Sequence, residues 1–375
     1  MIGSDETISK PGYLKQRLKL APEAIMALCD FHNTGLYRDE EMLTVHGYLL
    51  LASDGSSINI PTTAETLAAY GTSSNEGTKP QASLGLSCLY DVVNKVILCC
   101  SINRGKFDES AQAKAHLEHV PAIIGHQKTI IALDRGYPSL PLFYQFLSNG
   151  QKFVVRLKSN DFKAERGQMK SDDEWVDISI GKTRLEHYKG SEMYKLLKQA
   201  GVIRLRLANI QLEGGAQVCV ATNLDASEFR TVDVAHVYAL RWSIETAFDM
   251  LKNHLEIENF TGIKPVLIEQ DIFACVYLCN LVQDMIADAQ AELDSSGKPT
   301  GKHKMAINRA YAVGVMKSDL IKALLEPDKD KKTLIFTRMV SEIQDHVLPV
   351  RPGRHYQRHK GLLTGKYSNT RKRCY

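Results

Sequence analysis

The sequence predicts an α/β protein in which buried strands alternate with helices and a β-rich segment interrupts the run. Three observations carry this. Two strand-length runs, Gly47-Tyr-Leu-Leu-Leu-Ala-Ser53 and Lys128-Thr-Ile-Ile-Ala-Leu133, are apolar almost throughout. They lack the apolar–polar alternation of a strand with one wet face, so they read as strands covered on both sides. Helix-like stretches at 108–119 and 139–149 are interleaved with the strands, as in an α/β core. From 159 to 225 the pattern turns to short alternating segments, and no long helix is expected among them.

Taken in order, residues 12–40 read as helix, with Leu14, Leu18, Leu20, Ile25, Met26, Leu28 and Phe31 supplying apolar positions. Pro22 restarts a second helix there, because proline suits a first helical turn. The strand at 47–53 runs into Asp54-Gly55-Ser56-Ser57, and Ser57–Pro61 reads as a short second strand. Residues 71–80, rich in Gly, Ser, Thr and Asn, form a loop. Segments 82–91 and 94–103 pair as a hairpin turning at Val93-Asn94-Lys95, with Asp91 as a turn residue. Asp108 and Glu109 open the next helix, where acids suit the positive end of the helix dipole. The strand at 128–133 ends in Asp134-Arg135-Gly136-Tyr137, a helix follows beside Pro138, and 152–157 is the next strand. Trp175–Ile180, Val202–Leu207 and Gln217–Ala221 make up the β-rich segment. Then come a helix over Tyr238–Lys252, an apolar helix at 266–292, a Ser-Ser-Gly-Lys-Pro linker at 295–299, and helices to about 325 and at 331–347. The expected segments are 1–43, 44–158, 159–225, 226–292 and 293–375.

Hydrophobic content of 44% and charged content of 24% are ordinary globular values. No long unbroken apolar run marks a membrane span, so no membrane partner is expected. The opening residues show neither a basic nor an apolar leader region, and a cytoplasmic location is expected. The eight cysteines form no CxxC pair and no zinc-like cluster. Cys275 and Cys279, one turn apart, read as packing residues. The net charge of +4 is modest, but its distribution is uneven. From Arg351 onward Arg354, Arg358, Lys360, Lys366, Arg371, Lys372 and Arg373 accumulate without a single acid, interleaved with Tyr356 and Tyr367. Such a tail attracts a polyanion.

The chemistry concentrates on Tyr238-Ala-Leu-Arg241-Trp-Ser-Ile-Glu245-Thr-Ala-Phe-Asp-Met-Leu-Lys252. On one continuous helix at roughly 100° per residue, Tyr238, Arg241, Glu245 and Lys252 fall within about 60° of one another. Val237, Leu240, Ile244, Phe248, Leu251 and Leu255 form an apolar stripe on the flank, fit for a core. Trp242 reads as a core residue at the helix edge. Two cations and a phenol suit phosphate oxygens. A carboxylate among them repels DNA unless a cation intervenes, and a divalent metal is the usual solution. Asp54 and Asp134, each read at the carboxyl end of a buried strand and each followed closely by glycine, add two more carboxylates on rigid elements. Asp-Gly is also a common turn dipeptide, so neither aspartate identifies a site alone. With Glu245 they make three hard oxygen ligands suited to Mg2+ or Mn2+. Two such ions can activate the attacking oxygen and stabilise the leaving one.

The spacing of Tyr238, Arg241, Glu245 and Lys252 resembles the helix signature of cut-and-paste DDE transposases of bacterial insertion sequences of the IS-four type. Asp54-Gly-Ser and Asp134-Arg-Gly-Tyr look like that family's two aspartate motifs, and the likeness covers roughly 44–265. It implies a ribonuclease-H-like mixed sheet core flanked by helices and interrupted by the β-rich insertion. It implies that Asp54, Asp134 and Glu245 are the catalytic, metal-binding triad for two Mg2+ (or Mn2+) ions. Tyr238, Arg241 and Lys252 would contact DNA phosphates. The implied reaction is cleavage at transposon ends followed by strand transfer into target DNA. The implied partners are double-stranded DNA and further copies of the chain assembled on it. The likeness departs at the front, because family members carry a longer helical region before the first aspartate. A purely hydrolytic nuclease of the same fold and an inactive DNA-binding remnant are the competing readings.

Overall fold

The structure, a computed structural model, describes residues 9–72, 80–103, 108–212, 215–296 and 303–351. The expected basic tail beyond Arg351, most of the 71–80 loop and part of the 295–299 linker lie outside the described residues.

Helices α1 (Lys10–Arg17) and α2 (Pro22–Asp39) precede β1 (Leu49–Asn59) and α3 (Ala64–Tyr70). The hairpin β2 (Ser83–Asp91) and β3 (Val96–Asn103) leads to α4 (Glu109–His119), α5 (Pro121–Ile124), β4 (Thr129–Leu133), α6 (Leu140–Ser148) and β5 (Lys152–Arg156). The β-rich stretch holds α7 (Lys163–Arg166), β6 (Asp173–Ser179), α8 (Lys182–Leu185), α9 (Glu192–Ala200), β7 (Val202–Gln211) and β8 (Gln217–Thr222). Next come α10 (Thr231–Leu240), α11 (Ser243–Asp249), a π-type turn at Met250–His254, and α12 (Pro265–Ser295). Finally β9 (Met305–Ile307), α13 (Arg309–Leu325), α14 (Lys329–Gln344) and β10 (Val347–Pro349) close the described chain.

Two compact units form. One comprises Asp30–Ser57 and Leu84–Phe248; the other comprises the described parts of Met1–Cys29, Ile58–Ser83 and Asp249–Tyr375. The first unit holds almost all of an eight-stranded sheet in the order β3-β2-β1-β4-β5-β8-β7-β6. The hairpin β2–β3 is antiparallel, β1, β4 and β5 run parallel, and β8, β7 and β6 continue antiparallel. An antiparallel hairpin on one side of three parallel strands is the ribonuclease-H-like arrangement that the family resemblance implied. The segment at 159–225 therefore lengthens the same sheet through β8 beside β5, and it does contain a nine-residue helix, α9.

The core explains why the strands read as apolar runs. Leu49, Leu51, Ile131, Leu133, Phe153 and Val155 pack in one cluster with Phe143 and Phe146 of α6. Their sequence neighbours Leu50, Ile130 and Val154 point to the opposite face and are also fully buried. Both faces of the parallel strands are thus covered, which removes the alternation. Asp91 serves the hairpin as expected: its carboxylate accepts from the Val93 and Asn94 N–H groups at 3.1 Å and from the Tyr37 hydroxyl at 2.8 Å.

Three local expectations change. No separate strand forms at Ser57–Pro61, because β1 runs on through Asp54 to Asn59, with Ile58 buried as its last apolar anchor. Asp54 therefore lies within a strand, at the point where β1 leaves the core. The continuous helix over Tyr238–Lys252 is broken at Arg241-Trp242 and widens into the π-type turn at Met250. Here the ladder tightens to three-residue steps: the Ile244 N–H donates to the Arg241 carbonyl at 3.1 Å and the Glu245 N–H to that of Trp242 at 3.0 Å. The Ser243 hydroxyl fastens the break to the Val92 carbonyl at 3.1 Å. Trp242, expected in the core, is 62% exposed, because the tight turn gives the inward position to Arg241 and turns its neighbour outward.

In the second unit, α12 packs against α3, α13 and α14. By length and hydropathy it could span a membrane, yet 67% of its most apolar window is buried within the protein, as in a core helix. Cys275 and Cys279 lie in that buried face. Arg17 joins α1 to α12, donating to Gln270 Oε1 and to Asp271 Oδ1, each at 3.0 Å.

Candidate active site

Register brings the two aspartates together. β1 and β4 are parallel, with Leu51 opposite Ile131 and Ala52 opposite Ala132. Carried two residues further, that register sets Asp54 level with Asp134, one strand spacing apart, at the carboxyl edge where α/β sheets build ligand sites. Asp134 follows β4 directly, and its Oδ1 accepts from the Gly136 N–H at 2.6 Å. Asp54 Oδ1 accepts from the Gly55 N–H at 2.8 Å.

Glu245 arrives on α11, in the same unit. Arg241, only 8% exposed, links it to the strands: Nη1 stands 3.9 Å from Asp54 Oδ2 and Nη2 stands 4.0 Å from Glu245 Oε1. The guanidinium also lies over the Tyr238 ring, 5.6 Å from its centroid. Tyr238 is 4% exposed, and its hydroxyl and Arg241 Nε are buried without a hydrogen-bond partner among the described residues. Buried donors left unpaired cost about 1–3 kcal/mol each, a cost that a water or a polar ligand would relieve. Lys252 falls on the π-type turn, in the other unit. The four side chains therefore do not share one continuous helix, although Arg241 still lies beside both Tyr238 and Glu245. The apolar flank survives: Val237, Ile244, Phe248, Leu251 and Leu255 are buried, and Leu240 is half-buried.

A fourth carboxylate stands near Asp134. Glu109, at the start of α4, has its Oε2 3.6 Å from where a Cβ on Gly136 would stand, and Asp134 Oδ1 is 2.9 Å from the same point. Burial raises the Glu109 carboxyl above its ordinary range, and the charges of Asp54 and Asp134 raise it further. Asp54 is raised too, by burial first; the Gly55 N–H and Arg241 pull it back, and Asp134 pushes it up. Burial likewise drives the Tyr137 phenol upward. Helix-start acids are so common that the sequence offered no signal to separate Glu109 from a dipole partner. Its approach to Asp134 depends on how α4 packs on β3.

The donor set suits a hard divalent cation: carboxylates on strand and helix, mutually repelling and partly desolvated. The side chains as set do not form a ligand cage. Among the described residues no three Asp, Glu, His or Cys groups stand close enough to hold one ion. Arg241 lies between Asp54 and Glu245, and the Gly136 N–H engages Asp134.

Comparison with known proteins places this architecture. The family described as Transposase DDE domain matches residues 46–281. Transposase InsG for insertion sequence element IS4, from Escherichia coli (strain K12), is 22% identical over 244 residues, 63% of this chain and 52% of that protein. Putative transposase InsL for insertion sequence element IS186A, from the same organism, is 34% identical over 93 residues, 25% of this chain and 24% of that protein. The probable transposase for insertion sequence element IS5377 of Geobacillus stearothermophilus is 27% identical over 156 residues, 40% of this chain and 39% of that protein. The matches span between about a quarter and a half of these relatives' lengths. A cryo-EM structure of the piggyBac transposase synaptic complex with hairpin DNA overlaps 77% of this chain and 57% of that chain, at 10% identity and a TM-score of 0.43, too distant to bear on function. With the family match covering both aspartates and the glutamate helix, the chain belongs to the DDE transposase family of bacterial insertion sequences.

Proposed function

We propose that the protein is a DNA transposase that cleaves phosphodiester bonds at the ends of a mobile element and joins the freed 3′ ends to target DNA. What supports this reading is Arg241, which stands 3.9 Å from Asp54 and 4.0 Å from Glu245, together with the charge of Asp134 acting on Asp54. Asp54, Asp134 and Glu245 would be the catalytic residues and would hold the divalent ions, two Mg2+ or Mn2+, which when bound would supply charge neutralisation and activation of the attacking oxygen. Arg241 now stands by two of these carboxylates. Its guanidinium, already desolvated, then pairs with a DNA phosphate, a role in which a forked, always-charged group excels. Tyr238 adds its unpaired hydroxyl beside it, and Lys252 contributes a further phosphate contact.

The partners are double-stranded DNA, as element ends and as target, and other copies of the chain assembled on it. The place of action is the bacterial cytoplasm.

The test is a cleavage assay on DNA carrying the sequences that flank the coding region. Wild-type protein with Mg2+ or Mn2+ should cut, and chelation should stop it. Glu245→Ala should bind the same DNA without cutting it; Mg2+-dependent cleavage retained by that variant ends the proposal. A pre-cut end offered with target DNA should yield a joined product, whereas hydrolysis without joining assigns a nuclease instead.

A further inference from the structure

The first unit carries a second charged concavity that the carboxylate chemistry does not use. A cavity of about 530 Å³ opens among Arg135, Arg156, Lys158, Asn160, Arg166 and Gln217, and no Asp or Glu lines it. Its place is set by the sheet. β4 and β5 are parallel, with Leu133 opposite Val155, so the next step of that register sets Arg156 beside Asp134. β8 closes the far side, paired to Arg156 through Val220, and the Leu157 N–H donates to the Cys219 carbonyl at 2.9 Å. The cavity therefore opens on the same sheet edge as the catalytic aspartates, one strand spacing from Asp134.

Its rim is preorganised. The Lys158 N–H donates to Asp161 Oδ2 at 2.7 Å, and the Asp161 N–H donates to the Lys158 carbonyl at 3.1 Å, closing a turn. Arg166 Nη1 donates to the Lys158 and Ser159 carbonyls at 3.0 and 3.2 Å. The nearby carboxylate is thus engaged by the turn's backbone, and Arg166 holds the turn in shape. Arg135, Arg156 and Lys158 have no ion-pair partner among the described residues. Unneutralised cations held together by a rigid backbone repel one another, an arrangement that a polyanion relieves.

We propose that this cavity is a second DNA-backbone site, seating phosphates that flank the one held at Asp54, Asp134 and Glu245. Arg156 and Lys158 grip the strand from the sheet edge. Arg135, next in sequence to Asp134, bridges the two sites. The proposal rests on the reading of the carboxylate pocket as a catalytic centre for DNA.

The experiment measures binding of the full chain to fluorescently labelled random-sequence DNA of about 30 base pairs, and to a single strand of the same length, between about 50 and 200 mM salt. Arg156→Ala/Lys158→Ala should weaken binding and make the slope of log affinity against log salt shallower by about 1.8 on duplex, roughly 0.9 for each phosphate no longer neutralised. Arg156→Lys/Lys158→Arg, which keeps both charges, should retain the wild-type slope, with an unchanged thermal midpoint as the folding control. Weaker binding on duplex alone assigns the cavity to intact DNA, and weaker binding on both probes assigns it to one strand's backbone. If wild-type protein binds and the double alanine variant keeps its slope, the cavity proposal is overturned while the catalytic reading stands. If wild-type protein binds neither probe, the transposase reading itself falls.

Discussion

Gly136→Ala tests the pocket with the smallest available change. Gly136 does not have a positive φ, so alanine fits the backbone. The space is the difficulty: the new Cβ would stand 2.9 Å from Asp134 Oδ1 and 3.6 Å from Glu109 Oε2. Ordinary contact begins near 3.4 Å, so the Asp134 carboxylate must withdraw by about half an ångström, loosening the 2.6 Å bond from the Gly136 N–H. Stability should change by less than about 1 kcal/mol, since the weakened bond is partly offset by the lower chain entropy of alanine in the unfolded state. Activity should change far more. A misplacement of about 1 Å at a reacting centre can cost roughly a hundredfold, so half that distance predicts a loss of around tenfold. The assay is the Mg2+-dependent nicking rate on DNA bearing the element's flanking sequence, read beside the thermal midpoint. A variant that nicks within twofold of wild type would show that the position of Asp134 Oδ1 does not govern the reaction.

Other outcomes follow from single side chains. Arg241→Ala should lower cleavage at least a hundredfold, and because Asp54, raised by burial, loses a cation that pulls it back, the variant's stability deficit should shrink as pH falls through the Asp54 titration; a deficit independent of pH contradicts that electrostatic account. Arg206→Ala should destabilise by about 3–5 kcal/mol. It strips a buried bidentate partner from Asp173 (2.7 Å to Oδ1) and two donors from the Leu224 and Phe229 carbonyls, so a midpoint within a degree of wild type counts against it. His116 is held near pKa 4, below its ordinary 6.5, by burial first and by the charge of His119 second. The unfolded chain therefore gains a proton at higher pH than the folded one, and stability should fall as pH drops from about 6.5 to about 4. The loss approaches roughly 1.4 kcal/mol per unit, on the order of 3 kcal/mol in all. Denaturant titrations of wild type and His116→Gln across that range check it: the variant should lack this component, and parallel curves refute the assignment.

The sequence by itself determined the sheet and the family. Its parallel strands are apolar on both faces because both faces are covered, so they could be read from residue type alone, and the aspartates at Asp54 and Asp134 stood out against those runs. The spacing of Tyr238, Arg241, Glu245 and Lys252 carried the family resemblance, and the match to the Transposase DDE domain over 46–281 bears out the family. What only the tertiary structure decided concerns register and local departures from a regular helix. Strand pairing, a contact between residues distant in sequence, sets Asp54 level with Asp134 and Arg156 beside them. The break at Arg241-Trp242 depends on the Ser243 bond to Val92 and on the carboxylates that receive Arg241; a helical wheel assumes a constant angle and does not contain either. Glu109 and the cavity of Arg135, Arg156 and Lys158 escaped the sequence for the same reason. Their neighbours are supplied by other elements, and a one-dimensional pattern records only the neighbours along the chain.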